Sequence, residues 1–266
     1  MRICLNGAMV DEATARIAPD DRGFLLGDGV FETVAVKRGQ AKRLVGHLAR
    51  LRHDADVIGL HLPWDDQTLV LWIAQTTLEN DLVDAVVRIT ITRGPGPRGL
   101  LPPTDQQPTL LITAAPLPDA AEPAQLIIGS VTRRNEYSPL SAIKSINYLD
   151  NIIARREAQA RNADDAVILN TQGRVAETTV ANIFALIGGG ILTPPISEGA
   201  LPGLMRADVL KLARGDEAPI TVASLKAASE VFTSNALGIR PVTSIDGQPV
   251  GDGEPGLITQ LLAARL

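Results

Sequence analysis

Cysteine is nearly absent from this sequence: Cys4 is the only one among 266 residues. With no second cysteine there is no internal disulfide, which excludes a disulfide-stapled fold and indicates a reducing compartment. No apolar run approaches the ~18 residues that a membrane-spanning helix needs. The N-terminus lacks the basic-then-apolar pattern of a signal peptide. We therefore expect a cytoplasmic protein with no membrane partner.

Aromatic residues are also few, at 3% of the chain, which disfavours proteins that stack nucleic-acid bases or glycans. The formal net charge is -5, both signs are interspersed, and there is no basic stripe. We therefore expect no nucleic-acid partner. The rest of the composition, 45% hydrophobic and 21% charged, is ordinary for a globular protein of one large domain or two medium ones.

A polar, proline-rich segment at residues 116–123 has no periodicity and is the best candidate for a linker. We predict an N-terminal α/β domain over residues 1–116 and a C-terminal domain over residues 124–266. Three glycines within residues 23–29 predict a turn before a strand. Apolar periodicity predicts helices at residues 46–60, 65–80, 151–162, 204–213 and 256–265, and strands at residues 84–92, 109–115, 125–133 and 166–169.

The chemistry centres on Lys144, which lies among the apolar and small residues Ile143, Ser145 and Ile146. A lysine in an apolar pocket loses hydration and its pKa falls, and a neutral lysine is the nucleophile that forms a Schiff base with an aldehyde. Glu177 begins a later strand. A carboxylate beneath a bound pyridine keeps the ring nitrogen protonated, which makes the ring an electron sink. Taken alone, the two residues are more typical of a surface lysine and a strand-edge glutamate than of a cofactor site.

The wider pattern is more specific. Residues 144–151 read Lys-Ser-Ile-Asn-Tyr-Leu-Asp-Asn; a helix pattern, Asp-Asp-Ala at 164–166 and Glu177 ahead of Asn-Ile-Phe at 182–184 follow. This series resembles the class IV (fold type IV) aminotransferases, which depend on pyridoxal 5'-phosphate. The resemblance implies a two-domain α/β fold of the α+β type, like that of D-amino-acid aminotransferase, with no metal. It also implies that Lys144 is the Schiff-base lysine and that Glu177 pairs with the pyridine nitrogen.

Two motifs nearer the N-terminus are similar to the same family. Residues 20–33 read Asp-Asp-Arg-Gly-Phe-Leu-Leu-Gly-Asp-Gly-Val-Phe-Glu-Thr, and the resemblance implies that Phe31 faces the substrate pocket. Residues 47–51 read His-Leu-Ala-Arg-Leu, which implies that Arg50 contacts the cofactor phosphate. A guanidinium suits a phosphate because its paired N–H donors can bind two phosphate oxygens at once. Without the resemblance, these motifs are a glycine-rich hairpin and a solvated helix arginine.

The C-terminal part offers further phosphate ligands. Gly203 precedes a predicted helix, whose first N–H groups are free to bind an anion. The resemblance assigns this role to the backbone amides of Leu204 and Met205. A strand that runs into Ser234 and Asn235 suits another phosphate or substrate contact through hydroxyl and backbone donors.

The substrate is less well specified. Thr-Arg-Gly at residues 92–94 followed by Arg98 resembles a loop whose second arginine takes a substrate carboxylate in relatives that act on D-amino acids or aminodeoxychorismate. Leu100 departs from both, because the former have histidine and the latter tyrosine there. Ser-Asn-Ala-Leu at residues 234–237 is most similar to aminodeoxychorismate lyase.

We therefore predict a 4-amino-4-deoxychorismate lyase of folate-precursor metabolism, which eliminates pyruvate and leaves 4-aminobenzoate. The alternative is a transaminase for D-amino acids or branched-chain amino acids, with a small amino substrate and a keto acid. A non-catalytic homologue that binds the cofactor is a remote alternative. The family is usually dimeric, with sites at the subunit interface, so we expect a homodimer.

Overall fold

A computed structural model describes residues 1–266, which form two compact units. Unit 1 comprises residues 1–119 and 143–147, and unit 2 comprises residues 120–142 and 148–266. The short segment that carries Lys144 thus groups with unit 1, although the chain on both sides of it belongs to unit 2. The predicted domains, 1–116 and 124–266, stay a prediction.

Unit 1 is built on a six-stranded sheet in the order β2-β1-β6-β5-β3-β4, in which every neighbouring pair is antiparallel. The strand predicted at residues 84–92 is confirmed, and its alternate residues Val87, Ile89 and Ile91 are fully buried, as the two-residue repeat of a strand requires. The strands are β1 (Arg2–Leu5), β2 (Ala8–Asp11), β3 (Gly29–Lys37), β4 (Gln40–Ala41), β5 (Ala85–Thr92) and β6 (Thr109–Pro116).

Three helices complete unit 1: α1 (Arg22–Leu26), α2 (Leu44–Val57) and α3 (Asp66–Leu78). Leu48, Leu51 and Ala55 of α2 pack into the core on the sheet, which confirms the helix predicted from their spacing. Helix α1 falls where a turn was predicted. The Asp21 side chain accepts a hydrogen bond from the Gly23 N–H at 2.8 Å and starts the helix, and a left-handed residue ends it after one turn.

Unit 2 is built on a mixed nine-stranded sheet in the order β12-β11-β10-β13-β14-β7-β8-β9, with β15 paired to β14. Strand β7 is parallel to both of its neighbours, and β11 is parallel to β12. The strands are β7 (Ala124–Ile128), β8 (Asp165–Leu169), β9 (Val175–Thr178), β10 (Asn182–Ile187), β11 (Gly190–Thr193), β12 (Asp216–Glu217), β13 (Glu230–Asn235), β14 (Gly238–Ile245) and β15 (Gln248–Pro249).

The helices of unit 2 are α4 (Leu149–Ala160), α5 (Leu204–Ala213), α6 (Val222–Lys226) and α7 (Leu257–Arg265). Ala154 and Ala158 of α4 are fully buried against β7 and β8. Phe184 of β10 and Phe232 of β13 stack with ring centroids 4.8 Å apart, in a core that α5 and α7 cover. The helices of the chain are all too short or too polar to span a bilayer.

Candidate active site

In unit 1 the main chain around Lys144 runs alongside β3 like a short extra strand. The Phe31 N–H donates to the Lys144 carbonyl at 2.9 Å, and the Ile146 N–H donates to the Gly29 carbonyl at 3.1 Å. A Cβ atom at Gly29 would lie 2.5 Å from the Ile91 carbonyl oxygen of β5 and 3.1 Å from Ile146 Cδ1, so glycine is required where β3 lies between β5 and the lysine segment. Backbone pairing therefore fixes where the lysine side chain leaves the segment.

The Lys144 side chain extends over the ring of Phe31, with Nζ 4.1 Å from the ring centroid. Arg88 of β5 lies over the same ring, with its guanidinium carbon 3.7 Å from the centroid. The structure thus brings together two predicted residues, Lys144 and Phe31, and adds one that the sequence reasoning missed. The alternation of the strand could have pointed to Arg88, because it puts this arginine on the face opposite the buried Val87 and Ile89.

Arg50 is held by Glu32, a fully buried carboxylate on β3. Arg50 Nε donates to Glu32 Oε1 at 2.6 Å and Nη2 donates to Oε2 at 2.9 Å, a bidentate pair. His47 Nδ1 lies 2.8 Å from Glu32 Oε2. Burial works to raise the pKa of Glu32, but the hydrogen bonds from His47 and Arg50 and the charge of Arg50 lower it overall. Glu32 is thus an ionised partner that orients the guanidinium. Sequence reasoning assigned it no role.

One turn after Arg50 on α2, Asp54 contacts the lysine segment. Its Oδ2 atom accepts a hydrogen bond from the Lys144 N–H at 2.8 Å. Asp54 is buried, which raises the pKa of its carboxyl despite that hydrogen bond and the charge of Arg50. Helix α2 therefore touches the lysine segment with one residue and carries the predicted phosphate ligand four residues earlier.

In unit 2 the predicted ring-nitrogen partner, Glu177, is buried on β9. Its Oε1 atom accepts from Arg134 Nη2 at 2.6 Å, and its Oε2 atom accepts from the Leu201 N–H at 3.0 Å. Arg134 is itself anchored, since its N–H donates to the Leu169 carbonyl at 2.8 Å. An ion pair and a backbone donor thus fix the orientation of this carboxylate. No motif in the sequence pointed to Arg134.

The segment after Leu201 brings the start of α5 close to the sheet. Asn182 Nδ2 donates to the Leu201 carbonyl at 2.8 Å, and Asn182 pairs directly with Ser234 across β10 and β13. A Cβ atom at Gly203 would lie 2.1 Å from Asn182 Oδ1, so glycine is required where α5 begins. The structure therefore brings Leu204, at the start of α5, into the same region as Ser234.

The polar groups of this region suit a phosphate. No side chain caps the N-terminus of α5, where Leu204 and Met205 lie. The Ser234 hydroxyl is buried and has no hydrogen-bond partner, which an incoming acceptor would satisfy. Asn235 differs, because its Oδ1 atom accepts from the Leu237 N–H at 2.9 Å within the turn between β13 and β14. The donors of unit 2 thus suit a phosphate, and a buried carboxylate such as Glu177 is the type of group that pairs with a protonated pyridine nitrogen.

Arg98 belongs to the segment of unit 1 between β5 and β6. It is exposed on a loop and lines a cavity of about 530 Å³, and Lys144, Phe31 and Arg50 are not part of the lining. The lining residues are Pro19, Asp20, Arg22, Leu25, Leu26, Gly96, Pro97, Arg98, Gly99 and Leu100. The predicted substrate role of Arg98 stays a prediction.

Comparison with known proteins agrees with this chemistry. The sequence profile of the family described as Amino-transferase class IV matches residues 29–245. The chain is 36% identical to a putative branched-chain-amino-acid aminotransferase of Methanocaldococcus jannaschii, over 100% of this chain and 95% of that protein. It is 30% identical to a D-alanine aminotransferase of Staphylococcus epidermidis, over 98% of this chain and 95% of that protein.

Solved structures agree on the fold. The branched-chain amino acid aminotransferase of Escherichia coli matches with a TM-score of 0.93 and 27% identity, over 98% of this chain and 91% of its own. A T.th. branched-chain amino acid aminotransferase with pyridoxamine 5'-phosphate matches with a TM-score of 0.92 and 26% identity, over 99% of this chain and 92% of its own. A putative 4-amino-4-deoxychorismate lyase of Legionella pneumophila matches with a TM-score of 0.86 and 30% identity, over 95% of this chain and 94% of its own.

These matches confirm the predicted α/β fold of type IV and the predicted cofactor, pyridoxal 5'-phosphate. The lyase prediction is not confirmed, because the sequence relatives are named as aminotransferases and the alternative prediction is better supported. The chain is an enzyme and belongs to the class IV aminotransferase family.

Proposed function

We propose that this enzyme is a transaminase that moves the amino group of an α-amino acid to a keto acid. The observation that carries the proposal is the placement of Arg88 and Lys144 over the ring of Phe31. A guanidinium beside the reacting lysine suits a substrate with a carboxylate next to its amino group. The names of the relatives suggest two substrate classes, branched-chain amino acids and D-alanine.

Pyridoxal 5'-phosphate supplies an aldehyde and an electron-withdrawing ring when it is bound. Lys144 Nζ would hold the aldehyde carbon and would move the substrate α-proton as a general acid and base. Glu177, oriented by Arg134, holds a proton at the ring nitrogen. Arg50 binds the phosphate in the orientation that Glu32 sets.

The remaining ligands that we propose follow the predicted set. The backbone amides of Leu204 and Met205 and the Ser234 hydroxyl bind the phosphate, and Asn235 supports them through its backbone. Phe31 and Arg98 contact the substrate. A reducing, cytoplasmic location goes with the single cysteine.

The test is a comparison of products. Purified enzyme would be given D-alanine or L-leucine with 2-oxoglutarate, an (R)-amine without a carboxylate, and 4-amino-4-deoxychorismate. We expect keto-acid formation from at least one amino acid and visible absorbance from the lysine-bound cofactor, both lost in Lys144→Ala. Pyruvate release from 4-amino-4-deoxychorismate alone would show that the enzyme is a lyase.

We also infer a homodimer from an apolar surface of unit 1. Phe24 is 78% exposed, and Leu100 and Leu101 are 84% and 87% exposed. Leu25 and Leu26 of the Phe24 helix line one cavity with Leu100, so these apolar side chains are neighbours. Contiguous exposed apolar side chains mark interaction surfaces, and two-fold pairs of identical chains are the commonest soluble assemblies. Light scattering should give twice the mass of the chain, and the double variant Phe24→Glu, Leu101→Glu should shift the mass toward the monomer.

A further inference from the structure

Asp54 uses the two oxygens of its carboxyl group unequally. Oδ2 accepts the Lys144 N–H at 2.8 Å, whereas Oδ1 is buried and has no hydrogen-bond partner. Only 1% of the residue is exposed. A buried carboxyl oxygen without a partner destabilises a fold, so its presence here calls for a compensating role.

Helix α2, strand β3 and the Lys144 segment all face Asp54, and α2 and β3 place charged groups near it. Arg50 and His53 on α2 favour the ionised form, and Glu32 on β3 opposes it. The Lys144 segment contributes its N–H as a donor. Burial outweighs these effects and raises the pKa of Asp54 above its ordinary value.

We propose that Asp54 is a positioning residue for Lys144 and that its Oδ2 atom holds the lysine backbone while Arg50 holds the phosphate. Both residues lie on one face of α2, four positions apart, or about 6 Å along the helix axis. Helix α2 then sets the distance between the phosphate end and the aldehyde end of the cofactor. The inference rests on the proposed roles of Lys144 and Arg50.

The test separates covalent from non-covalent binding. Pyridoxal phosphate can bond to Lys144, whereas pyridoxamine phosphate has no aldehyde and binds only through the other contacts. Affinities of the apoenzyme for both compounds would be measured in wild type, Asp54→Asn and Asp54→Leu. Asp54→Asn keeps an acceptor oxygen, and Asp54→Leu removes it while filling a similar volume. Asp56→Asn, exposed on the same helix, is the matched control.

We expect Asp54→Leu to weaken pyridoxal phosphate binding by about 5- to 30-fold relative to pyridoxamine phosphate, as the loss of one buried hydrogen bond implies. Asp54→Asn and Asp56→Asn should match the wild type. Amide hydrogen exchange at Lys144 should be slow in wild type and Asp54→Asn, and fast in Asp54→Leu.

Three results would overturn the proposal. One is an unchanged affinity ratio in a folded Asp54→Leu variant. Another is an Asp54→Asn variant as impaired as Asp54→Leu, which would show that an acceptor oxygen at this position does not hold the lysine backbone. The third is unprotected exchange of the Lys144 amide in the wild type, which decides the matter even if Asp54→Leu does not fold. A wild type without covalent attachment at Lys144 would instead refute the proposed function.

Discussion

Replacing Glu32 with glutamine should be among the most destabilising single polar changes in unit 1. Glu32 is fully buried, and its carboxylate meets Arg50 through hydrogen bonds of 2.6 and 2.9 Å. Glu32→Gln keeps the shape but leaves the buried guanidinium without its counter-charge. Breaking a buried ion pair on one side costs about 3–5 kcal/mol. We expect the free energy of unfolding in urea at pH 7 to fall by about that amount.

The pH dependence provides a second readout. Because the pKa of Glu32 is lowered in the folded state from its ordinary value of 4.5, its stabilisation is fully present above that pH and is lost as the pH falls through the folded-state value. Wild type should therefore lose stability below pH 4.5 more steeply than Glu32→Gln. The two stability curves should converge in acid.

A surface pair that joins α2 to α3 is the matched control. Arg52 Nε lies 2.6 Å from Asp66 Oδ1, the same length as the buried contact, but the Asp66 side chain is 53% exposed. Asp66→Asn should cost about 0.2–1 kcal/mol. The double variant Glu32→Gln, Arg50→Met should recover part of the loss, because no buried charge is left unpaired. If Glu32→Gln costs no more than Asp66→Asn, or keeps the acid slope of the wild type, the reasoning fails.

Four further predictions test other contacts. Arg134→Gln removes the charged donor that lies 2.6 Å from Glu177 Oε1. We expect this variant to destabilise the protein by about 1.5–3 kcal/mol and to change the visible absorbance of the bound cofactor. An unchanged spectrum would show that Arg134 does not orient Glu177. Gly203→Ala puts a Cβ atom 2.1 Å from Asn182 Oδ1 and should lower the free energy of unfolding by about 1–3 kcal/mol, with weaker binding of inorganic phosphate to the apoenzyme. Arg22→Met removes the donors to the Gly99 and Leu100 carbonyls at 2.9 and 2.8 Å, which hold the Arg98 loop. The KM for amino acids should rise by about 5- to 10-fold, while the KM for an (R)-amine, which has no carboxylate, stays constant. An equal rise for both substrates would argue against a role of the Arg98 loop in carboxylate binding. Desolvation works to raise the pKa of Glu136, but hydrogen bonds, among them those from residues 171–172, lower that pKa overall from 4.5 to about 2. The stabilisation from Glu136 is therefore present above pH 4.5 and is lost between pH 4.5 and 2. Thr171→Val removes one of these hydrogen bonds and should flatten the acid denaturation curve in that range.

The sequence predicted most of the elements, since their apolar spacing is regular. The helices α2 and α3 and the strand β5 lie within a few residues of the predicted ranges. Helix α1 was missed because three nearby glycines suggest a turn, whereas the Asp21 cap decides the local conformation. Such a cap depends on a side-chain hydrogen bond that composition alone does not reveal.

The candidate site could be predicted only in part. Motifs identified Lys144, Glu177 and Arg50, because each lies in a characteristic run of neighbours. Their supporting residues come from distant parts of the chain: Asp54 is 90 positions from Lys144, and Arg134 is 43 positions from Glu177. Without an alignment, no local pattern connects such pairs. Arg88 was overlooked for a different reason, since an exposed strand arginine is usually only a solvated side chain.

The excursion of residues 143–147 into unit 1 has a consequence for synthesis on the ribosome. A nascent chain that ends at residue 119 contains six strands, but the Phe31 amide and the Gly29 carbonyl still lack the partners that Lys144 and Ile146 provide. Unpaired strand edges invite association with other chains. Unit 1 therefore completes its hydrogen bonding only after residue 147 has emerged from the exit tunnel, and truncated chains that end at the first boundary should be prone to aggregate.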